Sequence, residues 1–335
     1  MSDVAGARSA LAQAASWAGK VSNEYFNSWA LFELVRAQYE SATHTGEASF
    51  AGQADAGVPR TRNAYFRLLA GCEGAKFLLS AGKKKEARAA IEGLERDARV
   101  LDKDHSKVSA LSECAEVREK LGNSKECERD LKDAEEFAGT IENTYFRAWA
   151  ESGLVRAAAR IARDTGNTRM LEKYRSLMPT VEDKHLEAWA WAEMARAYHA
   201  LKDTRNAKKA LDSAWAACQE VPDPANAANG MAETALAALE QNNRKLAQTI
   251  LDAAGKKAQD AGKEHIQALV LSEVAKMTAA MGDELAARRK IQDAIDLAQK
   301  VSYEYFRDWA LTGIVRALAY MAVSAAKKPD SAPSK

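Results

Sequence analysis

Apolar residues along this chain fall in short stripes that recur at a fixed distance. Ala207, Leu211, Ala214 and Cys218 stand at i, i+4, i+7 and i+11, one face of a helix with 3.6 residues per turn. The same stripe returns at Cys127, Leu131, Ala134 and Ala138, at Ala247, Leu251, Ala254 and Ala258, and at Ala287, Ile291, Ala294 and Ala298, with a shorter copy at Ala87, Ile91 and Leu94. Ahead of each lies another helical pattern, best seen in YFNSWALFELVRA at 25–37, YFRAWAESGLVRA at 145–157 and YFRDWALTGIVRA at 305–317. Steps of forty from Tyr25 reach Tyr65, His105, Tyr145, His185, Ala225, His265 and Tyr305. Four residues later the ladder reads Trp29, Leu69, Ser109, Trp149, Trp189, Asn229, Leu269 and Trp309, with no slip of register. The chain is therefore a forty-residue repeat of two helices, A from the Tyr or His mark and B from the apolar stripe. Gly82, Gly122 and Gly282 fall between A and B, where a tight helix–helix turn favours glycine.

Counting outward predicts about sixteen helices in one all-α array over residues 1–327. Residues 4–20 carry the B stripe with no A before it, seven A–B pairs occupy about 23–302, and 303–325 is a final A with no B after it. Because each unit packs only on its neighbours, no internal domain boundary is expected. The B segment of the first repeat, EASFAGQADAGVP, contains Gly52 and Gly57 and is expected to be the loosest part. A polar tail at 328–335, KPDSAPSK, is expected to be disordered.

Trp191, Met194, Ala195 and Tyr198, followed by Ala207 and Leu211, resemble the tetratricopeptide pattern of W-x2-L-G-x2-Y and then A-x3-F. The Gly82-to-Ala87 and Gly282-to-Ala287 spacings fit it, as do Pro59 and Pro179 at the place of its closing proline. The departure is in length, since helix A is extended upstream by the YFxxWA segment. The resemblance implies a right-handed α-solenoid of antiparallel helix pairs, with the A helices lining a concave groove.

At 100° per residue, Tyr25, Trp29, Phe32 and Arg36 share one side of helix A, opposite the small residues that let helix B approach. The equivalent stripes contain Tyr145, Trp149 and Arg156; His185, Trp189 and Arg196; and Tyr305, Trp309 and Arg316, with Tyr65 and Lys76 in the second repeat. Such a face, aromatic and cationic, suits a peptide or partner helix of another protein. The competing reading is that the Trp rings fill gaps between neighbouring A helices. The cations would then be ordinary i, i+3 pairs, Glu33–Arg36, Glu73–Lys76, Glu193–Arg196 and Glu273–Lys276, each contributing about 0.2–0.5 kcal/mol. Gly153 and Gly313 replace that glutamate in two repeats, which marks Arg156 and Arg316 as the cations to face a ligand. The unmatched terminal helices raise a second possibility, head-to-tail self-assembly in which helix A of one copy stacks on helix B of the next. A peptide- or small-molecule-sensing regulator would use the same groove.

Composition narrows this further. Lysine plus arginine (48) nearly cancels aspartate plus glutamate (47), which argues against nucleic acid as a partner. The start has no secretory pattern, no stretch reaches about 18 uninterrupted apolar residues, and the four cysteines show no CxxC spacing. A cytoplasmic protein with no membrane insertion is expected. No phosphate-loop, dinucleotide, zinc-protease or nucleophile-elbow motif occurs, and His105, His185 and His265 are two repeats apart. No catalytic residue, metal or cofactor is expected, and the three histidines are expected to replace tyrosine in packing.

Overall fold

The structure is a computed structural model that describes residues 3–327, so the expected polar tail lies outside the described residues. Those residues form sixteen α-helices and two short 3-10 turns, with no strand among them. The A helices are α2 (Glu24–Thr45), α4 (Ala64–Ser80), α6 (Asp104–Lys120), α8 (Thr144–Thr165), α10 (Lys184–Ala200), α12 (Pro224–Glu240), α14 (Glu264–Ala280) and α16 (Glu304–Lys327). The B helices are α1 (Val4–Ala18), α3 (Ala48–Gly57), α5 (Lys84–Arg99), α7 (Ser124–Gly139), α9 (Thr168–Arg175), α11 (Thr204–Glu220), α13 (Arg244–Asp260) and α15 (Glu284–Lys300).

Each boundary has a local cause. Asn23, Asn63, Asn143, Asp183 and Asp223 share one ladder position, and their side chains accept from backbone N–H groups that open α2, α4, α8, α10 and α12. Gly82, Gly122 and Gly282 sit in the left-handed region at φ 76°, 77° and 93°, as the turn requires. Lys202 and Asn242 fill the same ladder position at φ 63° and 57°. Two repeats turn later. Helices α2 and α8 run for 22 residues and end at Gly46 and Gly166, both left-handed. Their B helices are shortened to α3 and α9, each followed by a 3-10 turn holding Pro59 or Pro179. The segment expected to be loose is a packed short helix, with Phe50 and Ala54 buried. Gly57 earns its place by contact, since a Cβ there would stand 2.6 Å from Val35 Cγ2.

The helices group into two compact units, one built from both ends of the chain, up to Gly82 and from Gly255, and the other from Lys83–Ala254. In each, an A helix packs on its own B helix and on the A helices before and after it, as α10 does on α11, α8 and α12. In the first unit the terminal helices are not left single. Helix α16 packs on α1 as an A helix packs on its B, and on α2 and α14 as on successive A helices. Leu11, Ala14, Phe26, Leu31, Leu311, Ile314 and Leu318 thus belong to one continuous core.

The junction between the ends repeats the register of the internal ones. Ser152 Oγ donates to the Leu186 carbonyl across α8 and α10, and Thr312 Oγ1 does the same to the Phe26 carbonyl across α16 and α2. Ser28 Oγ accepts from the Asn63 N–H, and at the corresponding place Asp308 accepts from Asn23 N–H at 2.6 Å and from Ser22 N–H at 2.9 Å. Helix α16 is long and apolar enough to cross a membrane by length and composition, but 78% of its most apolar window is buried against its neighbours. Packing on α1, α2, α14 and α15 accounts for that apolarity.

Candidate functional site

The face of the A helices divides into an aromatic end and a charged middle. At the N-terminal end, the ring at the Tyr/His mark of one repeat packs on the following position of the next. Tyr305 meets Phe26 edge-on at 5.0 Å and Tyr25 meets Phe66 at 5.3 Å. His105 and His265 lie flat on Phe146 and Phe306, both at 4.3 Å. Histidine therefore substitutes for tyrosine as a packing ring, and burial holds His105 below the usual imidazole range. Phe26 and Phe66 are buried inner partners, whereas Phe146 is 36% exposed and Tyr25, Tyr145 and Tyr305 are 45%, 49% and 48% exposed. Tyr303 adds a further exposed ring on Phe306.

One turn further along, the tryptophans sit between helices. Trp29 stacks on Phe66 with planes 7° apart, donates from Nε1 to Glu33, and lies beneath the Arg316 guanidinium. Arg156 covers Trp189 in the same way at 4.7 Å, and Trp189 Nε1 donates to Asn229. Trp149 and Trp309 pack beside His105 and His265.

The charged middle is a lattice of ion pairs between neighbouring A helices. Arg160 of α8 reaches back to Glu113 and Glu116 of α6, and Arg163 reaches forward to Glu193 of α10. Arg196 is 9% exposed and holds Glu193 at 2.9 Å, Glu233 at 2.9 Å and Glu240 at 3.3 Å. In the other unit Arg316 lies between Glu33 at 3.5 Å and Glu273 at 3.3 Å, which belong to α2 and α14.

The expected site residues therefore separate. Tyr25, Tyr145 and Tyr305 are exposed, and Arg36 keeps 43% of its side chain exposed while paired with Glu33. Tyr65, Lys76, Trp29, Trp149, Arg156, Trp189, Trp309 and Arg316 are half-buried between helices. His185 and Arg196 are buried and are corrected from groove-facing to interior, His185 beneath Trp189 and Arg196 within its carboxylates. Arg156 and Arg316, which lack the glutamate at i−3, are engaged elsewhere, Arg156 over Trp189 and Arg316 with two carboxylates. Glycine at 313 lets α14 come close (a Cβ would stand 2.9 Å from Leu269 Cδ2), and Arg316 takes its carboxylates from both neighbouring helices. The four pairs expected at i, i+3 form, but Glu33, Glu193 and Glu273 are buried.

A denser cluster joins α5, α6 and α7. Glu95 binds Arg99, Arg118 and Arg129, and the fully buried Asp130 lies against Arg99 and Arg129. Burial and then the Glu95 carboxylate push Asp130 up to about 6 against the pull of Arg129. Burial also acts to raise Glu95, but Arg118 and Arg99 outweigh it and hold Glu95 below its usual range. A raised carboxyl favours folding while protonated, and that contribution is lost as pH rises through about 6. Glu95 works in the opposite sense at lower pH. Asp130→Asn is accordingly expected to be better tolerated at about pH 7.5 than at about pH 4.5, by roughly 1 kcal/mol in urea unfolding. A larger loss at the higher pH would mean that the arginines hold Asp130 ionised.

All four cysteines are buried and free, and burial raises the Cys127 thiol well above its usual range. No group of three or more metal-binding side chains occurs among the described residues. Compared with known proteins, the chain matches no family model and no curated sequence.

Proposed function

We propose that the protein is a right-handed, tetratricopeptide-like α-solenoid serving as a non-enzymatic binding scaffold, which captures a peptide or a partner helix on the tyrosine-bearing ends of its A helices. The observation that carries this reading is the exposure of the large rings. Tyr25, Tyr303 and Tyr305 in one unit, and Tyr145 with Phe146 in the other, stand at 36–65% exposure. Rings kept in water while their inner edges are fixed by phenylalanine make pre-organised anchors, because little side-chain entropy is left to lose on binding. The half-exposed Arg36 supplies charge further along the same helix, whereas Arg196 and Arg316 serve the lattice between helices.

Head-to-tail self-assembly is the weaker reading. The surfaces of α1 and α16 that it would use are already paired within one chain.

The test is capture from a lysate by wild type and by a Tyr25→Ser, Tyr305→Ser variant, with helicity checked by circular dichroism. The variant is expected to keep its helices and to lose a captured partner at least about tenfold, as for interface anchors worth 1.4 kcal/mol or more. Identical partners on both proteins would remove the tyrosines from the binding surface.

A further inference from the structure

The ends of the chain border an open cleft of about 250 Å³ between the C-terminal ends of α1 and α15 and the start of α16. Trp17 and Lys20 come from the N-terminal arm, and Ala298, Gln299, Arg307 and Leu311 from the C-terminal one. Its chemistry is one-sided: the lining has two cations and no carboxylate. The Lys20 ammonium rests over the Trp17 ring at 3.7 Å and pairs with no acidic side chain among the described residues. Arg307 meets a carboxylate only at the edge of reach, Nε to Asp308 Oδ1 at 3.9 Å. That carboxylate is already engaged through Oδ2 by Ser22 N–H, Ser22 Oγ and Asn23 N–H. The terminal nitrogens of the Arg307 guanidinium are thus left without an acid, in a cleft also lined by an ammonium that an aromatic ring holds in place.

We propose that this cleft binds a small aromatic carboxylic acid. The carboxylate would bridge Lys20 and Arg307, and its ring would lie against the half-buried Trp17. An anion reaching both cations would form charge-assisted hydrogen bonds with them. A neutral ligand of the same shape would gain only the apolar contacts. The volume suits one or two fused rings and falls short of the usual range for larger ligands. Because the two halves of the cleft belong to opposite ends of the chain, a bound acid would also favour the closed arrangement of α1 and α16 over any opened one.

The experiment uses naphthalene-2-carboxylate as the probe and naphthalene-2-methanol as its uncharged counterpart, with calorimetry and thermal unfolding as readouts. The full-length protein is expected to bind the acid, to gain thermal stability with its concentration, and to bind the alcohol at least about tenfold more weakly. Lys20→Gln and Arg307→Gln are each expected to weaken the acid about tenfold or more. Gln299→Trp, at an exposed position on the rim, is expected to abolish binding by filling the cleft while leaving both cations in place. No binding of the acid, equal binding of acid and alcohol, or full affinity in Gln299→Trp would each overturn the proposal.

Discussion

Arg196→Met is expected to destabilise the protein by about 3–5 kcal/mol, the range for removing one partner of a buried ion cluster. The residue is 9% exposed, and its guanidinium donates to Glu193, to Glu233, and to the Glu233 backbone carbonyl at 3.1 Å. Methionine restores much of the volume, so the expected loss comes from removing the guanidinium that Glu193 and Glu233 share. Arg196→Lys keeps the charge but not the fork that spans two helices, so an intermediate loss of about 1–2 kcal/mol is expected. Urea unfolding of the single variants and of Arg196→Met with Glu233→Gln would separate the terms. The double variant should recover part of the loss, because the uncompensated charge is gone. A loss below about 1 kcal/mol for Arg196→Met would mean that water reaches these carboxylates as in an exposed pair.

The same residue shows how far the sequence could be read. The forty-residue ladder and the i, i+3 spacing of Glu193 and Arg196 are visible along the chain, and both describe the fold correctly. That Arg196 also holds Glu233 depends on the distance between two A helices, which periodicity does not contain. Arg316 is the sharper case. Its glutamate at i−3 is glycine, yet it meets Glu273 one repeat earlier and Glu33 near the other end of the chain. The second of these becomes a neighbour only when α16 packs on α2. The late turns of the first and fourth repeats had a visible signal, Pro59 and Pro179 three periods apart, and so did the Asn/Asp caps two residues before the Tyr mark. Of the aromatic stripe, the tyrosines could be placed outward from helical geometry, whereas the tryptophan positions were decided by what the next repeat supplies, Phe66 beneath Trp29 and Asn229 beside Trp189.

Asp308→Ala is expected to cost about 3 kcal/mol, more than the corresponding change at an internal junction. Internally, Ser28 Oγ accepts one hydrogen bond from Asn63 N–H at 3.1 Å, and Ser28→Ala should cost about 1 kcal/mol. Between the chain ends the acceptor is a fully buried carboxylate that takes Asn23 N–H, Ser22 N–H and Ser22 Oγ together. Hydrogen bonds to an ionised acceptor are about twice as strong as neutral ones, and alanine would leave two backbone donors without it. The difference has a structural reason. Consecutive A helices elsewhere are tethered through their own B helix and loops, whereas α16 and α2 are joined by no short connection and must find one another across the length of the chain. Loop-closure entropy opposes that contact more strongly than an internal one, so a stronger anchor is needed. Asp308→Ser, which reproduces the internal junction, should recover about 1 kcal/mol of the loss. Hydrogen exchange in Asp308→Ala should quicken first in α1 and α16 while α10 keeps its protection. Equal effects of Asp308→Ala and Ser28→Ala in urea unfolding, with exchange rising evenly through both units, would show that the ends are held by apolar packing alone.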